Sequence, residues 1–144
     1  MRISAKAEYA CVAMLELAAN AAAGQPVRIK AIAEAQDIPP RFLVQILLQL
    51  KTAGLVASVR GASGGYQLAR PAEGISLASI VTAIDDRTLT PRSALKEDNR
   101  SPAVQTLLGV WRDIQEEEQR LLENLTLAEL LRRSRQSNSL SYQI

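Results

Sequence analysis

The sequence predicts a mainly α-helical fold with one small β-hairpin, and three observations predict it. Apolar residues make up 47% of the 144 residues but aromatic ones only 3%. The core must therefore come from Ala, Leu, Ile and Val, a supply that suits helices better than a β-sandwich. Most apolar residues recur at three- and four-residue steps. The exception is Gly54 to Pro71, GLVASVRGASGGYQLARP, where two β-prone runs, Leu55 to Arg60 and Tyr66 to Ala69, flank Gly61, Ala62, Ser63, Gly64 and Gly65. Glycine permits the positive φ and close backbone approach that a tight hairpin needs.

Residues 4–22 read as a first helix, capped by Ser4, with Ala5, Tyr9, Val12, Leu15 and Ala19 on one face. Ala23 to Pro26 ends it. A short second helix follows from Ile29 to Ala35, with Ile29, Ile32 and Ala33 as its apolar face, and Gln36, Asp37 and Ile38 form a turn. Pro39 and Pro40 suit the first turn of a third helix, where no amide donor is missed. That helix runs to about Ala53, with Leu43, Ile46, Leu47 and Leu50 inward and Gly54 as a C-cap. After the hairpin, Ile75 and Ser76 lead into a helix from Leu77 to about Asp85, with Leu77, Ile80, Val81 and Ile84 apolar.

Asp86 to Pro102 is polar and aperiodic, a linker. Ser101 and Pro102 open a long helix to about Leu125, in which Val104, Trp111, Glu118 and Leu125 recur every seven residues, as do Leu107, Ile114 and Leu121. Leu108 and Leu122 broaden this seam. Such a seam suggests helix pairing between two subunits, the plainer alternative being packing against the chain's own first helix. Val104, Leu107, Leu108, Trp111, Ile114, Leu121 and Leu125 are the candidate dimerisation residues. Thr126 caps a last short helix, Leu127 to Arg133, with Glu129 as its capping-box partner. The serine-rich tail from Ser134 reads as loose, although Leu140, Tyr142 and Ile144 alternate as a docking strand would. The chain thus divides into residues 1–86, a linker 87–102, a dimerisation region 103–133 and a tail 134–144.

A short helix, a turn and a longer helix make a helix-turn-helix, and a basic glycine-tipped hairpin directly after it makes the winged form. On the third helix Arg41, Gln45 and Gln49 lie at i, i+4 and i+8, with Phe42 and Val44 beside them. Arginine matches guanine O6 and N7, and glutamine matches adenine N6 and N7. A solvated helix face would look similar in isolation. The wing that follows favours double-stranded DNA, because Arg60 and Arg70 can lie along or in a groove.

Net charge is only +2, but residues 1–70 hold eight basic groups (Arg2, Lys6, Arg28, Lys30, Arg41, Lys51, Arg60, Arg70) against four acidic ones (Glu8, Glu16, Glu34, Asp37). This asymmetry points to a nucleic-acid-facing first half, although many solvated helices look similar. A nucleoid-type binder without sequence preference would be far more basic. The chain has no histidine, which removes Ser–His and Cys–His nucleophile pairs. GASGG lacks the Gly-Lys-Ser/Thr end of a P-loop. No enzyme is legible. Cys11, the only cysteine, excludes an intramolecular disulfide and reads as a small buried hydrophobe, with a redox thiol as the alternative. No run approaches the roughly 20 apolar residues that span a bilayer, and Glu8 and Glu16 break the N-terminal apolar stretch, so a cytoplasmic protein without membrane contact is expected.

MRISAKAEYACVAMLELA, IKAIAEAQDIPPRFLVQIL, SVRG with GGYQLARP, ISLASIVTAID, LGVWRDI and LTLAEL together resemble the Rrf-type (IscR, NsrR, CymR) bacterial transcription regulators. The resemblance covers residues 1–86 almost continuously and resumes at 107–131. It implies a homodimeric winged-helix protein in which each subunit reads half of a pseudo-palindromic operator. Carried over, the readers are Pro40, Arg41, Phe42, Val44 and Gln45 in the major groove and Arg60 in the minor groove. Arg28, Gln49, Lys51, Ser63 and Arg70 complete the candidate contacts.

Two departures stand out. Many members hold an iron–sulfur cluster on three linker cysteines, and here Asp86 to Leu108 has none, so no cofactor is expected. Where some members carry Glu, this chain has Val44, which cannot accept from cytosine N4 but can touch a thymine methyl. The expectation is a cluster-free, sequence-specific regulator, a repressor, whose signal is a small molecule, a protein effector or the Cys11 thiol. The alternative is a winged-helix protein–protein module that has lost specific DNA binding.

Overall fold

The chain is described by a computed structural model over residues 3–85 and 93–142. In order, the elements are α1 (Ala5–Asn20), α2 (Ile29–Gln36), α3 (Pro40–Thr52), β1 (Val56–Val59), β2 (Gly65–Leu68), α4 (Leu77–Ile84), α5 (Pro102–Asn124) and α6 (Leu127–Tyr142). Ser4 caps α1 as expected, its Oγ accepting from the Ala7 N–H at 3.0 Å. The same hydroxyl donates to Asp85 at 2.6 Å, which ties the start of α1 to the end of α4.

α1 packs against α2, α3, α4, α6 and β2, and its core face differs from the expected one. Ala7, Ala10, Ala13, Met14, Leu17 and Ala18 are buried, whereas Ala5 and Ala19 are exposed and Tyr9, Val12 and Leu15 are half-buried. α1 is apolar nearly all round, so periodicity alone does not choose a face. The alanines decide it, because small side chains let several helices approach one axis closely.

α2 ends with Asp37 at φ 53, a left-handed position that Asp tolerates better than most residues. The Ile38 N–H returns to the Ala33 carbonyl at 3.1 Å, and Ile38 is buried. α3 then starts at Pro40 and buries Leu43, Ile46, Leu47 and Leu50. The hairpin pairs Val56 with Leu68, Ala57 with Gln67, Ser58 with Tyr66 and Val59 with Gly65. On its other edge Tyr66 exchanges two backbone hydrogen bonds of 2.8 Å with Val27, so the wing is anchored to the segment before α2.

The C-terminal helices return to this core. Leu77 N–H donates to Leu125 O and Leu127 N–H to Ile75 O, both at 2.8 Å, and Leu127 is fully buried in the same cluster as Leu17 and Leu43. Leu108 and Leu122 are also buried, on the side of α5 that meets α4. They form an inward face distinct from the seam they were expected to broaden.

The last helix does not stop at Arg133 but continues to Tyr142. This overturns the loose tail and, up to Tyr142, the docking strand; Ile144 lies outside the described residues. Ser134 to Tyr142 contains neither Gly nor Pro, and serine costs a helix only tenths of a kcal/mol per residue, about 0.5. The Thr126 cap is present, its Oγ1 accepting from the Glu129 N–H at 3.1 Å. The capping box is not closed, because the Glu129 carboxylate turns forward to Arg132 and Arg133, which hold its pKa down at about 2. Of the linker, residues 86–92 lie outside the described part. Its end is pinned by Gln105, whose Nε2 donates to the carbonyls of Glu97 and Asn99 at 3.1 and 2.6 Å.

Candidate nucleic-acid interface

At 100° per residue, the buried side of α3 centres on Leu43 and Leu50, and the opposite meridian carries Arg41, Gln45 and Leu48. Arg41 and Gln45 are exposed, and Leu48 is 60% exposed and Val44 52%. Gln49 departs from the expected stripe: it is half-buried and its Oε1 is buried without a hydrogen-bond partner. The reason is geometric. Steps of four residues overshoot the 3.6-residue turn by about 40° each, so Arg41 and Gln45 share the outer face while Gln49 drifts to its edge. The seventh residue on from Arg41, Leu48, falls back on the meridian instead.

Arg41 does not stand free. Its guanidinium lies 5.5 Å from the centroid of the Phe42 ring, and Phe42 in turn meets Tyr9 of α1 with centroids 6.3 Å apart. A cation over an aromatic face is held with roughly 0.5–1 kcal/mol at an exposed site, so this stack restricts where Arg41 can point. Tyr9 had no place among the expected site residues. Its signal would have been the pairing of two of the chain's few aromatics, which only the folded contact reveals. Lys51 donates from Nζ to Ser58 Oγ at 2.8 Å, bridging α3 to β1. Pro40 and Arg28 are exposed at the starts of α3 and α2.

The wing carries Arg60 and Ser63, both exposed at its tip. The tip is closed by the Gly64 N–H donating to Gly61 O at 3.0 Å. A Cβ on Gly64 would sit 2.3 Å from Val59 O, so no other residue fits there without moving backbone. Arg70 lies at the wing's base: a Cβ on Gly54 would be 3.9 Å from its Nη2. From Pro40 to Pro71 the chain has four basic residues and no acidic one. Helix and wing therefore carry positive charge only, a distribution suited to a polyanion.

Cys11 lies half-buried against the core. Burial, and then the nearby Glu8 and Asp85 carboxylates, push its thiol pKa from 9.0 up to about 11. The thiolate is the reactive form, so the environment opposes the redox role and suits the buried-hydrophobe one. At pH 8 the folded protein should react with iodoacetamide roughly 100-fold more slowly than the urea-unfolded chain, read by mass spectrometry. Native and unfolded rates within a few-fold of each other would refute this.

The profile of the Rrf2 family, described as "Iron-dependent Transcriptional regulator", matches residues 3–133. The donor set does not fit a cysteine-held iron–sulfur cluster, since the sequence offers one cysteine and no histidine. A Mycobacterium tuberculosis H37Rv protein named as an HTH-type transcriptional regulator is 45% identical over 131 residues, spanning 90% of this chain and 81% of that one. IscR of Yersinia pestis is 38% identical over 131 residues, spanning 91% and 79%. Among solved structures, T. potens IscR superposes with a TM-score of 0.75 at 33% identity, covering 93% of this chain and 88% of the other. CymR, the global cysteine regulator of B. subtilis, gives 0.75 at 32% identity, covering 91% and 96%. The chain belongs to the Rrf2 family and is a DNA-binding transcriptional regulator of winged-helix fold.

Proposed function

We propose that the protein acts in the cytoplasm as a homodimeric repressor on a pseudo-palindromic operator, without an iron–sulfur cluster. The observation that carries this reading is the outer face of α3, where a guanidinium, an amide and aliphatic side chains stand together with no acidic group. Residues 1–86 read the DNA: Pro40, Arg41, Phe42, Val44 and Gln45 enter the major groove, and Arg60 reaches the minor groove. Arg28, Lys51, Ser63 and Arg70 meet the backbone on either side, and Gln49 supports the helix from its edge. A small molecule or protein effector acts through the linker 87–102.

Residues 103–133 join the subunits. Supporting this, Leu107, Val110, Trp111, Ile114 and Leu121 are 40–56% exposed along α5. Val110 joins the candidate seam, while Leu108 is already covered within its own subunit and Val104 and Leu125 are half-covered. An apolar stripe of this length on a regulator whose operator has two halves is matched by a second copy of itself.

The test is selection of sheared genomic DNA by the purified protein across a salt series. The expected result is a palindromic motif retained at moderate salt, with affinity falling only by the counterion term. Recovery of random fragments alone, lost steeply as salt rises, would overturn the proposal.

A further inference from the structure

Leu48 is the most exposed large apolar side chain on α3, at 60%, and it stands on the outer face about one turn beyond Gln45 and two beyond Arg41. A single exposed leucine needs no explanation. This one does not stand singly, because Val44, one turn earlier, is 52% exposed, and residues four apart on a helix are surface neighbours about 6 Å apart. Together they make an aliphatic ridge down the middle of the helix. The surroundings say what can cover it. Arg41 and Lys51 flank the ridge, the segment has no acidic residue, and the subunit-pairing stripe lies on α5. The occupant is therefore an anion-bearing surface with an apolar group at its floor.

In the major groove one group answers that description. The edges of guanine, cytosine and adenine present only donors and acceptors, whereas thymine adds a C5-methyl. Pressing Leu48 onto any other edge would strip water from polar atoms and give them no partner. We propose that Leu48 is a specificity-determining residue that packs against a thymine methyl in each half-site, beside and separable from Val44. This rests on the reading above that α3 enters the major groove, and adds a base preference to it.

The experiment begins from the selected operator and uses the full-length protein. Each thymine is replaced in turn by deoxyuridine, which removes the methyl and leaves every hydrogen-bonding group in place. At one position per half-site, wild-type affinity should fall about fourfold per half-site and about 15-fold when both are changed, the factor for one buried methyl. Leu48→Ala should lose a similar factor on the thymine operator and no longer distinguish thymine from deoxyuridine there. Leu48→Met, which keeps an apolar side chain of similar reach, should still distinguish them. Because Leu48 lies outside the core, both variants should melt with the wild type.

Insensitivity of the wild type to deoxyuridine at every position would overturn the inference. So would a Leu48→Ala protein that keeps full sensitivity, or one that binds the thymine operator unchanged, as a surface reserved for a protein partner would require. These failures are distinct from failure of the function itself, in which no specific operator would be recovered for substitution.

Discussion

Ile114→Asp should leave a folded monomer that has lost most of its operator affinity. Ile114 is 46% exposed in the subunit, centred among Leu107, Val110, Trp111 and Leu121, so the substitution removes nothing from the subunit's own core. At a two-fold seam it places two carboxylates in apolar surroundings and near each other. Burying one unpaired charge costs several kcal/mol, and a like charge opposite adds to it. Light scattering should report half the wild-type mass, with the helical signal by circular dichroism retained.

Operator affinity should fall on the order of 10² to 10⁴-fold, because the second half-site is no longer held at high effective concentration. Leu108→Asp is the contrasting substitution. Leu108 faces the subunit's interior, so its carboxylate should unfold the protein rather than merely separate two copies. A stable dimer in Ile114→Asp would remove α5 as the pairing surface.

Much of this arrangement was legible in the sequence, and the misses share a cause. Elements delimited by punctuation, such as Pro40 opening α3, Gly54 closing it and the glycine tip of the hairpin, fall within a residue or two of their expected bounds, because those residues act through local backbone geometry. What depends on a neighbour was not legible. α1 is apolar on several sides, so the face that became core was chosen by the helices around it. Leu108 and Leu107 are adjacent in sequence and equally apolar, yet one is spent on the subunit and the other stays bare. Composition misled for the tail, since serine-rich reads as loose while nothing in Ser134 to Tyr142 breaks a helix. On α3 a four-residue repeat stood in for a 3.6-residue one, so Gln49 was expected on the exposed stripe where it is half-buried, and the exposure of Leu48 was not foreseen.

The wing offers the second large effect, through Gly65→Ala. Gly65 has φ 150, and a Cβ there would lie 2.5 Å from Val27 O and 2.6 Å from its carbonyl carbon. Both are backbone atoms of the segment that pairs with Tyr66, so no side-chain rotation relieves the clash. The Val27 backbone must move away, and the two 2.8 Å hydrogen bonds between Val27 and Tyr66 go with it. Backbone strain costs about 1–3 kcal/mol and each of the two lost bonds about 0.5–1.5, so destabilisation of roughly 2–6 kcal/mol and a melting point lower by roughly 6–18 °C are expected.

The same displacement frees the wing from the body that aims it, and it shifts Arg28, which follows Val27 directly. Operator affinity should therefore fall even at temperatures where the variant is folded, as Arg60 loses its fixed approach to the groove. Gly74→Ala separates this from a general intolerance of substitution, since a Cβ there meets nothing within 4 Å and should leave melting and binding as they are. A Gly65→Ala protein that melts within a degree or two of the wild type would mean that the Val27 contact does not hold the wing.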